Sequence, residues 1–239
     1  MAGSKQKKEY RHPEAHRLNL GNIFRNLILG GQDGIVNVLG IVLGVATATG
    51  SSSIVLLAGL AATFAESISM GAVAYTSSKA EQEHYESELK RELYEIEHMP
   101  EVERKEVEDI FRAKGFSGKL LDDVVEKIVS DKKVWLDTMM RDELRLENPE
   151  EGMSPLRQAV FVGVSAIIGS FVPVTPYLFL PISQATPIAL IASFLLLFLM
   201  GAYKSRMTSG KWLYGGLEVM IIGGAAAVAG YLVGVFFTV

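Results

Sequence analysis

The chain has 239 residues, 49% hydrophobic and 21% charged, and it contains no cysteine. Only Asp33, Glu66 and Lys79 are charged between residues 27 and 80, and residues 158–203 contain no charge at all. Half of a surface helix in a soluble protein must face water, so these stretches exclude a water-soluble fold. The absence of cysteine excludes disulfides and thiolate metal sites. The sequence predicts an all-α, polytopic membrane protein.

Five segments are apolar for the ~20 residues that a membrane span requires. We predict spans near residues 25–48, 54–78, 156–178, 185–203 and 212–237. The sequence Thr-Gly-Ser-Ser-Ser at 49–53 divides the first apolar stretch, and Pro155 opens the third span. The predicted organisation is a basic N-terminal segment 1–24, transmembrane helices one and two in 25–79, a cytosolic helical domain 80–151, and transmembrane helices three to five in 152–239.

The distribution of basic residues predicts the orientation. Every Lys and Arg lies in residues 1–24, 80–155 and 204–211 or in the adjoining span ends. These segments share one side of the membrane if the chain crosses it five times. Because basic residues concentrate on the cytosolic side, we expect the N-terminus and residues 80–151 in the cytosol and the C-terminus on the opposite side.

Three acidic residues fall within predicted spans. Asp33 lies about two turns into the first span and Glu66 in the middle of the second. An ionised carboxylate at membrane depth costs about 2.5–3.5 kcal/mol, so the two predict a cation or proton site. Asp33 could instead reach the membrane interface. Glu218, near the start of the fifth span, either completes this acidic cluster or lies at the interface; both readings stay open.

Met70 follows Glu66 by four residues and therefore lies on the same helix face. Its thioether is a soft ligand from which Mg²⁺ and Ca²⁺ gain little. We expect Glu66 to release a proton when a divalent ion binds and to regain it when the ion leaves. Met70 is expected to favour a transition metal at this site.

The segment 80–151 has 22 acidic and 12 basic residues. It is predicted to form four helices, at Glu81–Glu97, Pro100–Lys114, Lys119–Val129 and Lys132–Leu146. Two carboxylate pairs with i,i+3 spacing, followed by two methionines and another glutamate, could converge on a divalent metal. These candidate ligands are Glu92, Glu95, Glu103, Glu106, Met139, Met140 and Glu143. By spacing alone, a solvated acidic face explains the same pattern.

The order of these motifs resembles the vacuolar iron transporter family, in particular members with a cytosolic metal-binding domain between spans two and three. The similarity rests on Gly31-Gln32-Asp33-Gly34, on Glu66-Ser67-Ile68-Ser69-Met70-Gly71, on the two glutamate pairs, on Met139-Met140 with Glu143, and on the glycine-rich fifth span. Some family members have a glutamate before the aromatic residue that ends the span-two motif. Here Ala74 precedes Tyr75, so any role of that carboxylate is absent or falls to Glu66.

The resemblance implies a homodimer of five-helix subunits in a lipid bilayer that exports Fe²⁺ from the cytosol in exchange for protons. The seven ligands of the acidic segment would gather the metal, and Asp33, Glu66 and Met70 would line its path. The protein would reside in the cell membrane or a vacuolar membrane, and no nucleic-acid partner is expected.

Two alternatives remain at this stage. The first is a transporter of the same build for Mn²⁺, Co²⁺ or Zn²⁺, which oxygen and thioether ligands also accept. The second is a membrane-anchored carboxylate protein that oxidises Fe²⁺. Such di-iron bundles use Glu-x-x-His pairs on facing helices, whereas the two pairs of this chain, Glu81/His84 and Glu95/His98, lie on one helix.

Overall fold

The computed structural model describes residues 14–149 and 152–238, with side chains from Phe24 onwards. Within this part of the chain every regular element is helical, which confirms the all-α prediction. The elements are α1 Glu14–Thr49, α2 Ser52–His98, α3 Pro100–Ala113, α4 Gly118–Val129, α5 Lys132–Thr138, a π-helix Met139–Glu143, α6 Pro155–Val174, α7 Pro176–Phe179, α8 Ile182–Thr208 and α9 Trp212–Phe236.

Five of these helices are long and apolar enough to cross a membrane, as predicted: α1 from Phe24, α2, α6, α8 and α9. The break between α1 and α2 falls at Gly50, whose φ of +59° is a conformation that glycine adopts without strain. Of the predicted basic segment 1–24, residues 1–13 lie outside the described part of the chain.

The predicted bounds of the third and fourth spans were wrong. Helix α6 ends at Val174, and Pro176 begins the separate one-turn helix α7. Thr175 keeps helical φ and ψ of −52° and −42°. Pro176 has no backbone N–H with which to continue the hydrogen bonds of α6, so the helix is interrupted there. Helix α8 extends the fourth span at both ends, from Ile182 to Thr208.

The chain separates into two compact units. The described residues up to Tyr75 and those from Ser154 onwards form one, here called the membrane unit. Residues Thr76–Met153 form the other, here called the acidic module. Helix α2 contributes residues to both.

Helix α1 is the centre of the membrane unit because it packs against α6, α8 and α9. Glycines make its approach to α9 possible. A Cβ added to Gly230 or Gly234 would overlap the carbonyl oxygen of Gly40 or Gly44, respectively. The two backbones therefore touch directly, as small residues allow in membrane helices. Leu39, Leu43 and Ala227 form a buried cluster beside this contact.

The acidic module has its own apolar core. Its buried residues are Ile96, Val107, Leu121, Val125, Ile128, Trp135 and Met139. They come from α2, α3, α4, α5 and the π-helix. The predicted fourth helix, Lys132–Leu146, was wrong at its end because α-helical geometry stops at Thr138 and a π-helical turn ends at Glu143. Arg145, with φ of +56°, then turns the chain away.

The direct backbone contact predicts that Gly230→Ala destabilises the protein by about 1–3 kcal/mol, the usual cost of overpacking. Gly224→Ala is the matched control, because a Cβ there would lie 3.9 Å from Phe194, at ordinary contact distance. Thermal unfolding in detergent measures both variants. An equal unfolding temperature for Gly230→Ala and the parent would contradict the close packing.

Candidate metal centres

Three glutamates of the acidic module form a cluster. One carboxylate oxygen each from Glu92, Glu95 and Glu103 lies within 4.8 Å of the other two. Glu92 and Glu95 lie on α2, and Glu103 lies on α3 beyond the Pro100 turn. The structure thus brings together one complete predicted pair and the first member of the other. Three hard oxygen donors at this separation suit a divalent cation.

Two of these carboxylates are buried without full hydrogen bonding. Glu92 is 1% exposed and Glu103 is 3% exposed. The Oε2 atom of each has no hydrogen-bond partner among the described residues. A buried, unpaired carboxylate oxygen is costly, so these atoms indicate a place for a cation or a proton.

Arg91 partly balances the charge of this cluster. Its guanidinium lies 2.7 Å from Glu88, 3.1 Å from Glu92 and 3.7 Å from Glu95. Burial raises the pKa of Glu92, and the hydrogen bond from Arg91 opposes this shift. One cation faces three acids here, so negative charge remains for a metal to neutralise.

Glu106 and Glu143 extend the cluster electrostatically. Burial, followed by the charges of the neighbouring Glu106 and Glu92, raises the pKa of Glu103 to about 7. Partial desolvation and the same two neighbours raise the pKa of Glu143 to about 7, although this residue is exposed. All five predicted glutamates of the module therefore share one negative field, and a divalent cation would relieve their repulsion.

Met139 and Met140 are 0% and 1% exposed, respectively. Both belong to the π-helix, in which the amide of Leu144 donates to the carbonyl of Met139 at 3.1 Å. Single π-helical turns occur often at functional sites. Met139 packs within the apolar core of the module. Its thioether is thus fixed by packing.

The two histidines of the module contribute to neither core nor cluster. His84 is exposed and lies 4.0 Å from Glu88. His98 is exposed at the end of α2 and stacks on Tyr94 with ring centres 4.0 Å apart. Both histidines are therefore helix-surface residues.

A second acidic group lies in the membrane unit. The carboxyl groups of Asp33 on α1 and Glu66 on α2 interact. The amide Nδ2 of Asn37 donates a hydrogen bond of 2.8 Å to Oε1 of Glu66. The other oxygen of Glu66, Oε2, is buried and has no hydrogen-bond partner among the described residues. This pair resembles the module cluster, because each contains a buried carboxylate oxygen without a hydrogen-bond partner among the described residues.

The other candidates of the membrane unit lie around this pair as follows. Met70 is half-buried, one turn after Glu66. Ala74, where some family members have glutamate, is buried. Glu218 is exposed on α9 and has no hydrogen bond or ion pair with the described side chains. It does not join the Asp33–Glu66 pair.

Two residues that the structure places at these sites were missed from the sequence. Asn37 lies four residues after Asp33, so both lie on one face of α1. The spacing from Asp33 could have revealed Asn37, but a single uncharged amide in an apolar span is less conspicuous in sequence than a carboxylate. Arg91 was overlooked because a basic residue among many glutamates usually forms a solvent-exposed ion pair, and its sequence pattern does not distinguish the two roles.

Comparison with known proteins agrees with this geometry. The sequence model of the VIT family matches residues 24–235. The chain belongs to the vacuolar iron transporter family. It is 35% identical over 221 residues to vacuolar iron transporter 1 of Arabidopsis thaliana, covering 92% of this chain and 88% of the relative. It is 30% identical over 234 residues to the vacuolar iron transporter of Plasmodium falciparum, covering 94% and 85%. This VIT protein is a membrane metal transporter.

The raised pKa values predict that the module binds metal more tightly as pH rises through about 7. Below this pH, Glu103 and Glu143 hold protons that a metal must displace. Titration calorimetry of the full chain with Co²⁺ at pH 6 and pH 8, in a Glu66→Gln background, measures the change. A Glu103→Gln/Glu143→Gln variant should show weaker binding with less pH dependence.

The same pKa shifts determine whether the stability of the metal-free protein rises or falls with pH. Folded Glu103 and Glu143 bind protons more tightly than they do in the unfolded chain, so their contribution to stability falls as pH rises towards 7. Thermal unfolding should therefore occur at lower temperature at pH 8 than at pH 6, and saturating Co²⁺ should reverse the order. A metal-free protein that gains stability over this range would contradict the assignment.

Proposed function

We propose that this VIT protein is a divalent metal/proton antiporter that exports metal, foremost Fe²⁺, from the cytosol. The observation that carries the proposal is the pairing of Asp33 with Glu66 inside the membrane unit, with Oε2 of Glu66 buried and unpaired. A titratable pair at membrane depth can hold either a proton or a cation. Coupled exchange requires at least one site that binds the proton and the metal ion in turn.

Proton coupling follows from the charge of the pair. Two adjacent carboxylates repel each other when both are ionised, and a proton bound to one of them would relieve this repulsion in the absence of a cation. An arriving divalent ion is neutralised by two ionised carboxylates and expels that proton. Protonation from the far side then displaces the metal. Asn37 holds Glu66 in place while this exchange occurs.

The acidic module would act as the collector of metal on the cytosolic side. Glu92, Glu95 and Glu103 offer a cluster of hard oxygen ligands, to which Glu106, Glu143 and the thioethers of Met139 and Met140 would add further oxygen and soft sulfur ligands. Fe²⁺ accepts both kinds, and Mn²⁺, Co²⁺ and Zn²⁺ are also compatible. The relatives are vacuolar iron transporters, which favours iron as the metal and a vacuolar membrane as the location.

A homodimer fits the outer surface of the membrane unit. The Asp33–Glu66 pair lies beside the exposed side chain of Asn37 on α1. Val73, two turns after Glu66 on the same face of α2, is 58% exposed. A polar amide beside a metal path is better placed against a second subunit than against lipid. A second copy packed on this face of α1 and α2 would enclose the path.

An iron-oxidising carboxylate protein is not favoured. Di-iron bundles place Glu-x-x-His pairs on facing helices around a buried site. In the described residues, His84 and His98 are both exposed on α2, and neither belongs to the glutamate cluster.

If the acidic module collects metal and the Asp33–Glu66 pair carries it across the membrane, changes at the two sites should cause different transport defects. In proteoliposomes that contain a metal-sensitive dye, Asp33→Ala should reduce Fe²⁺ flux to background, because the ion has no replacement for its hydration shell. Glu92→Gln/Glu103→Gln should raise the half-saturating metal concentration by about tenfold or more and leave the maximal flux intact. Equal losses of maximal flux in both variants would contradict the scheme. Size-exclusion chromatography checks folding.

A second prediction concerns coupling. Glu66→Gln keeps the shape and the contact with Asn37 and removes a titratable group. Metal flux in this variant should no longer respond to a pH gradient. Glu218→Gln, a change at an exposed residue outside the pair, is the control and should retain full coupling. Proton-coupled flux that survives Glu66→Gln unchanged would transfer the proton role to Asp33.

A further inference from the structure

A groove of about 890 Å³ opens in the membrane unit where α8 ends and α9 begins. Its lining includes Ile28, Leu199, Met200, Tyr203, Arg206 and Trp212. This volume lies within the range of small-molecule sites. The groove is separate from the residues assigned to metal binding, none of which lines it.

Arg206 is the one charged residue among the described residues that line this groove. It is exposed and forms no ion pair with a described side chain. The arginines of the acidic module differ, since Arg91, Arg104 and Arg112 all pair with glutamate or aspartate. A guanidinium without an acidic partner at the edge of an apolar groove presents a site for an anion.

More positive charge lies around the groove, and none of its described lining residues is acidic. Lys204 and Lys211 are exposed neighbours of the lining residues in sequence, and Arg25 is exposed about one turn before Ile28 on α1. None of the three forms an ion pair with a described side chain. The nearest acid along α9 is Glu218, which is not part of the lining. The local field therefore favours a ligand with net negative charge over a zwitterionic one.

The aromatic residues place the groove at the membrane–water interface. Tyr203 packs on Phe24 with ring centres 5.6 Å apart, and Trp212 packs edge-on against Phe198 at 6.4 Å. Tyrosine and tryptophan concentrate at the level of lipid headgroups. The remaining lining side chains Ile28, Leu199 and Met200 are apolar, as an acyl chain requires.

The groove is held open by packing next to it. A Cβ added to Gly201 would overlap the carbonyl oxygen of Gly215, so α8 and α9 touch directly there. The chain then turns at Gly210, with φ of +74°, before α9 begins. A contact without room for adjustment fixes the position of both walls, so the ligand meets a preformed site.

We propose that this groove binds an anionic phospholipid of the surrounding leaflet, with the phosphate on Arg206 and an acyl chain along Leu199 and Met200. Basic pockets between membrane helices are known to bind acidic headgroups. The proposal does not depend on which metal is transported or on proton coupling.

The two tryptophans of the chain make a direct test possible. Trp135→Phe leaves Trp212, a lining residue, as the sole fluorescent indole. This variant of the full chain is reconstituted in phosphatidylcholine vesicles with increasing fractions of phosphatidylglycerol, and only one of the two lipids carries brominated acyl chains. Brominated phosphatidylglycerol should quench Trp212 with about fivefold or greater preference over brominated phosphatidylcholine, the factor expected for one base near an acidic headgroup.

Arg206→Gln in the same background should abolish that preference and leave the unfolding temperature unchanged. Arg157→Gln, at the start of α6 outside the groove, is the matched control and should keep it. Inorganic phosphate at millimolar concentration should not reduce the quenching. Equal quenching by both lipids in the parent, a preference that survives Arg206→Gln, or displacement by inorganic phosphate would each overturn the proposal.

Discussion

The requirement that a buried carboxylate have a positive partner governs both candidate metal centres. Oε2 atoms of Glu66, Glu92 and Glu103 are all buried and without a hydrogen-bond partner among the described residues. An apolar fold of the same size would be more stable without them. Each of these groups must be neutralised by a proton, an arginine or a metal ion. Which of these groups neutralises each carboxylate depends on the metal concentration and the pH, so the net charge of the candidate centres changes with both.

Much of this arrangement was predictable because membrane helices leave few alternatives. Apolar stretches of the required length, with few or no charges, indicated all five spans, and Gly50 and Pro100 indicated where α1 and α2 end. Asp33 and Glu66 were conspicuous as acids among apolar residues. Backbone groups in a bilayer must bond within their own helix, so here the local pattern nearly determines the local structure.

The π-helix and the glutamate cluster depend on tertiary contacts that the spacing of residues in the sequence does not reveal. The π-helix at Met139–Glu143 is set by the packing of Met139 in the module core, whereas the sequence reads as an ordinary helix there. The cluster of Glu92, Glu95 and Glu103 depends on the angle at which the chain re-enters α3 after Met99. Surface glutamates with the same helical spacing, such as Glu83 and Glu86, look identical in sequence.

The glycine contact between α1 and α9 also determines how these helices can be aligned. Ala226, Gly40, Gly230, Gly44 and Gly234 alternate along it, each close to the next. The spacing is four residues on both helices, so sliding one helix by a turn, about 5.4 Å, would again bring small residue against small residue. The glycines permit close approach but do not select a register. That selection falls to the residues that flank the glycines on α1. A slide by one turn would put Val36 in the place of Gly40 or Ala48 in the place of Gly44, where an added Cβ lies only 3.2 Å from the carbonyl oxygen of Ala226 or 2.8 Å from that of Gly230.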